Sequence, residues 1–266
     1  MKSLKELMNL AGRVALMTGG SGHIGAAMAH ALGELGASVV VLDVAQVRCK
    51  SVADEIHRAF DVETLPLAVD LSDADAVRRV PQIVLERFGQ LDVIVHSAAY
   101  TDTSVPGWAV PFAEQSVEAW DRALRVNTTA AFVLVQAAAD ALRQSEHASV
   151  IFVSSIYGLV GPDMRLYEGT GMNNAAGYAA SKGGLLQLMR YLATLLAPHV
   201  RVNAISPGGV WRNQHEDFHE RYKARTPLQR MATEEDLTGA VAYLASDLSS
   251  YVTGHNLVVD GGWTAW

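Results

Sequence analysis

The chain has 266 residues, 50% of them hydrophobic and 18% charged, a balance that suits a folded globular protein and excludes disordered, collagen-like and coiled-coil chains. Its 21 Lys and Arg against 28 Asp and Glu leave a formal charge of −7, which argues against nucleic acid or an anionic membrane surface as the main partner. The single cysteine, Cys49, cannot close an internal disulfide, residues 1–12 mix charged and apolar positions unlike a signal peptide, and no long uncharged apolar run suggests a membrane span, so a cytoplasmic protein is expected.

In chain order, a strand-type apolar run at 14–17 leads into Thr18-Gly19-Gly20-Ser21-Gly22-His23-Ile24-Gly25, and a helix is predicted over 25–35. Further strands are predicted at 38–42, 64–69, 93–96, 149–153, 200–205 and 256–259. Helical periodicity falls between them at 51–59, 73–88, 117–142, 177–195 and 234–245. Uninterrupted apolar strands alternating with helices predict an α/β, doubly wound fold. Its seven-stranded, mainly parallel sheet carries helices on both faces and binds ligands at the carboxyl ends of its strands. No linker, repeat or low-complexity run divides residues 1–266, so one domain is expected. Segments 100–116 and 157–176 lack clear periodicity, and 213–226 is charged. Long irregular segments in a compact domain are usually functional.

The first glycine-rich turn lies between a strand and a helix. Glycines allow a tight turn and close backbone approach to a pyrophosphate, and the helix terminus offers free N–H groups. Asp43 ends the second strand, eighteen residues after Gly25. A carboxylate there accepts from ribose hydroxyls and repels a 2′-phosphate, which predicts NAD over NADP. Asp70, at the end of the third strand, is placed either to reach an adenine amino group or to cap the next helix.

The residues then align with a family. The glycine turn, Asp70, Asn127, Ser154-Ser155, Tyr178-Ala179-Ala180-Ser181-Lys182, Pro207-Gly208 and Val259-Asp260-Gly261-Gly262 follow in the order seen in short-chain dehydrogenases/reductases. The chain resembles that family over roughly residues 10–264, which implies a Rossmann fold and a nicotinamide cofactor. By this resemblance Gly19, Ser21, His23, Ile24, Asp43, Asp70, Leu71, Ser97, Ala98, Pro207, Gly208 and Val210, with Tyr178 and Lys182, bind the cofactor. Asn127, Ser155, Tyr178 and Lys182 form the catalytic set.

Elementary chemistry supports the set. Tyr178 and Lys182 are i and i+4 on one helix face, and an ammonium beside a phenol stabilises the phenolate. Lowering a phenol pKa by ~3 units takes on the order of 4 kcal/mol. Ser155 is placed to hydrogen-bond a substrate oxygen, while strand alternation turns Ser154 to the opposite face. Asn127 is a poor helix former inside a helical stretch; in the family the matching residue kinks the helix and connects a proton relay.

Four departures stand out. His23 replaces a glycine, and either takes a left-handed backbone or aims its ring at phosphates. His96-Ser97-Ala98-Ala99 replaces Asn-Asn-Ala-Gly. Arg212 stands where a threonine is common, able to meet a phosphate, a substrate anion or solvent. Ser155 and Tyr178 are 23 positions apart, more than is usual, so an insertion at 159–176 lies between them, and a lid is expected at 210–228. Tyr157, Arg165, Asn174 and Arg212 are candidate substrate contacts. A polar lining suits a polyol, sugar or sugar acid, and the insertion is similar to that of members tied to bacterial surface-sugar and flagellin modification; the alternative is a solvated loop.

His215-Glu216-Asp217-Phe218-His219 matches a zinc-protease pattern, but its polar surroundings favour a solvated helix and no metal is expected. The sequence therefore predicts an NAD-dependent enzyme interconverting a secondary alcohol and a ketone on a small polar molecule. The alternatives are a reductase of less polar carbonyls and a silent NAD-binding sensor. Apolar helices at 117–142 and 177–195 resemble the family's subunit interface and predict a homotetramer or homodimer.

Overall fold

The computed structural model describes residues 1–100 and 105–266, so part of the irregular segment predicted over 100–116 lies outside the described residues. Strands β1 (Val14–Thr18), β2 (Ser38–Asp43), β3 (Thr64–Ala68), β4 (Val93–His96), β5 (Ser149–Val153), β6 (Arg201–Pro207) and β7 (Asn256–Val259) form one sheet in the order β3-β2-β1-β4-β5-β6-β7. Every neighbouring pair is parallel. The order reverses between β1 and β4, which opens a crevice at the carboxyl ends of these strands.

The helices are α1 (Leu4–Met8), α2 (His23–Glu34), α3 (Gln46–Phe60), α4 (Ala74–Phe88), α5 (Val117–Leu124), α6 (Ala130–Gln144), α7 (Ala176–Leu196), α8 (Glu216–Arg225) and α9 (Thr238–Ala245). Period-two alternation divides the inner strands between two cores, while the edge strands β3 and β7 each face one. Val14 and Leu16 of β1 pack towards α4, α6 and α7, whereas Ala15 and Met17 pack towards α2, α3 and α9. Both faces are covered, so the strands read as continuous apolar runs. Burying one such large side chain contributes about 1.5–3 kcal/mol.

Local chemistry sets the ends. Asp73 caps α4 by accepting from Asp75 N and Ala76 N, both at 3.0 Å, and Gly89 stops it at φ 76°. The helix expected over 117–142 is interrupted: α5 passes into a π turn at Arg125–Thr129 before α6. The short α1 was not expected; its Ser3 and Glu6 cap each other, Ser3 N donating to Glu6 and Glu6 N to Ser3.

The insertion and the segment after β6 pack together beyond the carboxyl edge. Ile156, Leu166, Tyr167, Phe218, Tyr222, Met231 and Trp263 form a small separate cluster.

Candidate active site

β1 feeds the chain directly into the glycine turn. Gly19 adopts φ 66°, and a Cβ there would lie 2.7 Å from the Ala98 backbone; a Cβ on Gly25 would lie 2.0 Å from the Gly19 carbonyl oxygen. A side chain at Gly19 would collide with the chain after β4, and one at Gly25 would push the first turn of α2 away from the glycine turn. Gly22 begins α2 with no side-chain cap, which leaves first-turn N–H groups available to an anion. Ser21 N and Ser21 Oγ donate to Asp43 Oδ2 at 3.2 and 2.7 Å, and Val44 N donates to Oδ1 at 2.7 Å. A close-approach cradle, a bare helix terminus and a fixed carboxylate beside them fit a nicotinamide dinucleotide.

The other expected cofactor residues fall around this cradle. Ile24, Ser97, Pro207, Gly208 and Val210 line the adjoining cavity. Ala98 N donates to Thr18 Oγ1 at 3.4 Å. Leu71 is buried. Asp70 is exposed and accepts from Ser72 N at 2.8 Å; the helix cap is Asp73, not Asp70. His23 takes a helical backbone as the first residue of α2 and turns a 72% exposed ring outwards, 4.0 Å from Glu234. Neither route anticipated for it is taken.

Ser155, Tyr178 and Lys182 meet on one cavity of about 380 Å³ at the carboxyl ends of β4, β5 and β6. Lys182 Nζ lies 5.6 Å from the Tyr178 ring centre and donates to Val153 O at 2.8 Å. Ser155 Oγ accepts from Tyr157 N at 3.1 Å and faces the same cavity as the Tyr178 phenol. Ser154 Oγ instead donates to Lys182 O at 2.8 Å, buried against α7, as alternation predicts.

Burial dominates the electrostatics. It raises the Tyr178 pKa above its usual value, while the Ser155 hydroxyl pulls it down and Tyr167 adds to the rise. Burial also pushes Lys182 down to about 7. Its charge is itself disfavoured by burial, and Nζ is directed at Val153 O, so Ser155 provides the opposing pull.

Asn127 sits fully buried in the π turn. Its Oδ1 accepts from Tyr100 N at 2.6 Å and its Nδ2 donates to Ser181 Oγ at 2.8 Å. Ser181 Oγ donates in turn to Tyr178 O at 2.8 Å. Asn127 therefore pins the turn of α7 that carries both Tyr178 and Lys182. The extra residue of a π turn aims this amide inward, where an α-helical residue would continue its own ladder.

The candidate substrate contacts separate into two groups. Tyr157 and Arg212 line the cavity. Asn174 is not among the residues lining it, and its carbonyl accepts from Gln115 Nε2 at 3.1 Å. Arg165 does not reach the site: its side chain is 77% exposed and is held by Asp163 at 2.7 Å. Arg212 is paired with Glu234 at 3.2 Å. Tyr167, Tyr222 and Phe218 also line the cavity; Tyr167 belongs to the insertion expected beside the substrate, whereas Tyr222 and Phe218 were not singled out from the sequence. Their aromatic character was visible, but no spacing rule links the insertion to a helix fifty residues later.

The zinc-protease pattern does not assemble. His215 caps α8 by accepting from Asp217 N at 3.2 Å, and His219 stacks on Trp211 at 4.0 Å. Glu216, His219 and Glu220 approach one another without His215. A second cavity of about 570 Å³ lies at the amino ends of the strands. Charged groups there engage one another: Asp247 holds Arg13 at 2.8 Å and His147 at 3.0 Å. It lies at the opposite end of the sheet from the catalytic trio.

Comparisons with known proteins agree with this geometry. A family model described as enoyl-(acyl carrier protein) reductase matches residues 20–264. The chain is 35% identical to cis-4-hydroxycyclohexanecarboxylate dehydrogenase of Sinomonas cyclohexanicum, covering 95% of this chain and 97% of the relative. It is 33% identical to 2,5-dichloro-2,5-cyclohexadiene-1,4-diol dehydrogenase of Sphingobium indicum, covering 96% and 97%. Among solved structures, a gluconate 5-dehydrogenase from Burkholderia cenocepacia in complex with NADP and tartrate superposes with a TM-score of 0.87. It is 25% identical, with 99% and 100% of the two chains covered.

Proposed function

The chain belongs to the short-chain dehydrogenase/reductase family of oxidoreductases acting on CH–OH groups, and on that footing we propose that it uses NAD to interconvert a secondary alcohol and a ketone on a small polar molecule, a polyol, sugar or sugar acid. The observation that carries this reading is the meeting of Ser155, Tyr178 and Lys182 on one cavity beside the glycine cradle.

The residues divide the work. The turn at Gly19–Gly25 and the N-terminus of α2 hold the pyrophosphate, and Asp43 accepts from the adenosine ribose. When bound, the nicotinamide supplies the hydride acceptor or donor. Ser155 donates to the substrate oxygen and holds it against Tyr178. Tyr178 takes the hydroxyl proton in oxidation and returns it in reduction. Lys182, when protonated, favours the Tyr178 phenolate and offers a donor to the nicotinamide ribose. Asn127 fixes this turn of α7 and links it to the proton path towards solvent.

NAD over NADP rests on Asp43 at the end of β2, beside the glycine turn, where a carboxylate would accept from a ribose hydroxyl and repel a 2′-phosphate. The substrate class rests on the phenol, amide and guanidinium groups around the cavity and on relatives named for ring alcohols and sugar acids. The segment at 210–228, with α8, serves as the lid. Trp120, Phe132, Tyr191 and Leu195 expose 39–59% of their surface on α5, α6 and α7, which suits a homotetramer or homodimer. Among the described residues no helix is long and apolar enough to cross a membrane, and the lone buried Cys49 suits the cytoplasm.

The test is a screen of secondary alcohols, polyols, sugars and hydroxy acids with NAD and with NADP, following reduced nicotinamide by absorbance. Turnover with NAD on hydroxylated substrates is expected. NAD binding with complete inactivity over the panel would identify a sensor instead.

A further inference from the structure

The insertion brings a second phenol into the cavity. Tyr167 follows the 3₁₀ turn Met164–Leu166 and lies against Phe218 of α8, ring centroids 5.2 Å apart. Its amide donates to Met164 O at 3.0 Å, and its carbonyl accepts from Thr170 Oγ1 at 2.7 Å. At 8% exposure, the ring has a fixed direction.

The Tyr167 hydroxyl lies 2.8 Å from that of Tyr157. A phenol has one hydrogen to give and an oxygen that accepts. One hydrogen spans the two oxygens, so the pair keeps a second hydrogen to give, and it faces the cavity that Tyr157, Tyr167 and Tyr178 line together.

The cavity's cations are already engaged. Lys182 donates to Val153 O at 2.8 Å, and Arg212 pairs with Glu234 at 3.2 Å. The Gln214 side chain is closed on Arg212 N and Val210 O at 2.6 and 2.8 Å. What the insertion adds beside the catalytic trio is a neutral donor on an aromatic wall, suited to a hydroxyl on a ring and not to a carboxylate.

Resting on the proposed alcohol–ketone activity, we infer that the paired Tyr157 and Tyr167 hydroxyls donate a hydrogen bond to a second hydroxyl of the substrate, which makes the preferred substrate a neutral cyclic diol or polyol.

The experiment compares wild type, Tyr167→Phe and Tyr157→Phe on cyclohexanol, 1,2- and 1,4-cyclohexanediol and 4-hydroxycyclohexanecarboxylate, with NAD. Wild type is expected to favour a diol over cyclohexanol about tenfold or more in kcat/KM, and over the carboxylate. Tyr167→Phe is expected to cut the diol-to-cyclohexanol ratio about tenfold. The loss appears in the diol KM, with the pH profile of kcat in place. Tyr157→Phe moves the ratio the same way and serves where Tyr167→Phe fails to fold. Calorimetric binding of the diol to NAD-loaded enzyme follows the same order. Equal losses on diol and cyclohexanol, or a wild-type preference for the carboxylate, would overturn the inference and leave the alcohol dehydrogenase reading standing. No turnover by wild type on any alcohol, with NAD bound, would overturn both.

Discussion

Nε2 of His96 lies 3.0 Å from the main-chain oxygen of Asn127, and Nδ1 of the same ring lies 2.9 Å from Thr18 Oγ1. A carbonyl only accepts, so Nε2 carries the hydrogen and Nδ1 accepts from the Thr18 hydroxyl. The ring joins the end of β1 to the π turn and so supports the helix that presents Tyr178. It is fully buried, and its pKa is pushed down to about 4, by burial first and by the charge of Lys182 second.

That shift has a sign. Between the ordinary value of 6.5 and about 4, the unfolded chain binds a proton that the native chain refuses, so stability falls as pH drops through this window. The difference amounts to on the order of 3 kcal/mol. In His96→Asn this component is absent, and denaturant unfolding from about pH 7 to about pH 4.5 should show a shallower decline than wild type. Parallel declines would show that His96 is not held neutral.

Gly25→Ala should prevent the first turn of α2 from seating, because the new Cβ would lie 2.0 Å from Gly19 O. Overpacking of this kind costs about 1–3 kcal/mol, and NAD affinity should fall in parallel. Calorimetric titration together with thermal unfolding measures both. Unchanged NAD binding would remove the glycine turn from the cofactor site.

Asp43→Ala should weaken NAD about tenfold and narrow the preference over NADP. Asp43 is held by Ser21 and Val44 at 2.7 Å each, so it meets the ribose preoriented. An unchanged ratio of the two affinities would show that Asp43 does not read the ribose.

The legible parts of this molecule were those governed by local rules. Continuous apolar strands, the glycine turn before α2 and the i, i+4 pair Tyr178–Lys182 each leave a pattern within a few residues, and all three stand where the pattern places them. Asn127 was visible as a misfit in a helix, but not the π turn that makes use of it. The contact of Tyr167 with Phe218 of α8 was not legible, because it depends on how two irregular segments fold over the sheet. Arg165 misled because a charged residue in an insertion is equally consistent with a surface pair, here with Asp163.

Assembly is expected to bury the apolar faces of α5, α6 and α7. Phe132 and Leu195 expose 42% and 53% of their surface. Light scattering on wild type should give a multiple of the 28.6 kDa chain mass, and Phe132→Glu with Leu195→Glu should lower it. A wild-type monomer at micromolar concentration would contradict the proposed interface.

The central claim is that the half-buried Tyr178 phenol, set beside Lys182 and on one cavity with Ser155, is the proton acceptor for a substrate hydroxyl. Tyr178→Phe keeps the ring and removes only that oxygen. On a substrate that wild type oxidises with NAD, kcat should fall by a factor on the order of 10²–10⁴, while NAD affinity, measured separately, should stay close to wild type. Near-normal turnover in Tyr178→Phe would contradict the account at its root.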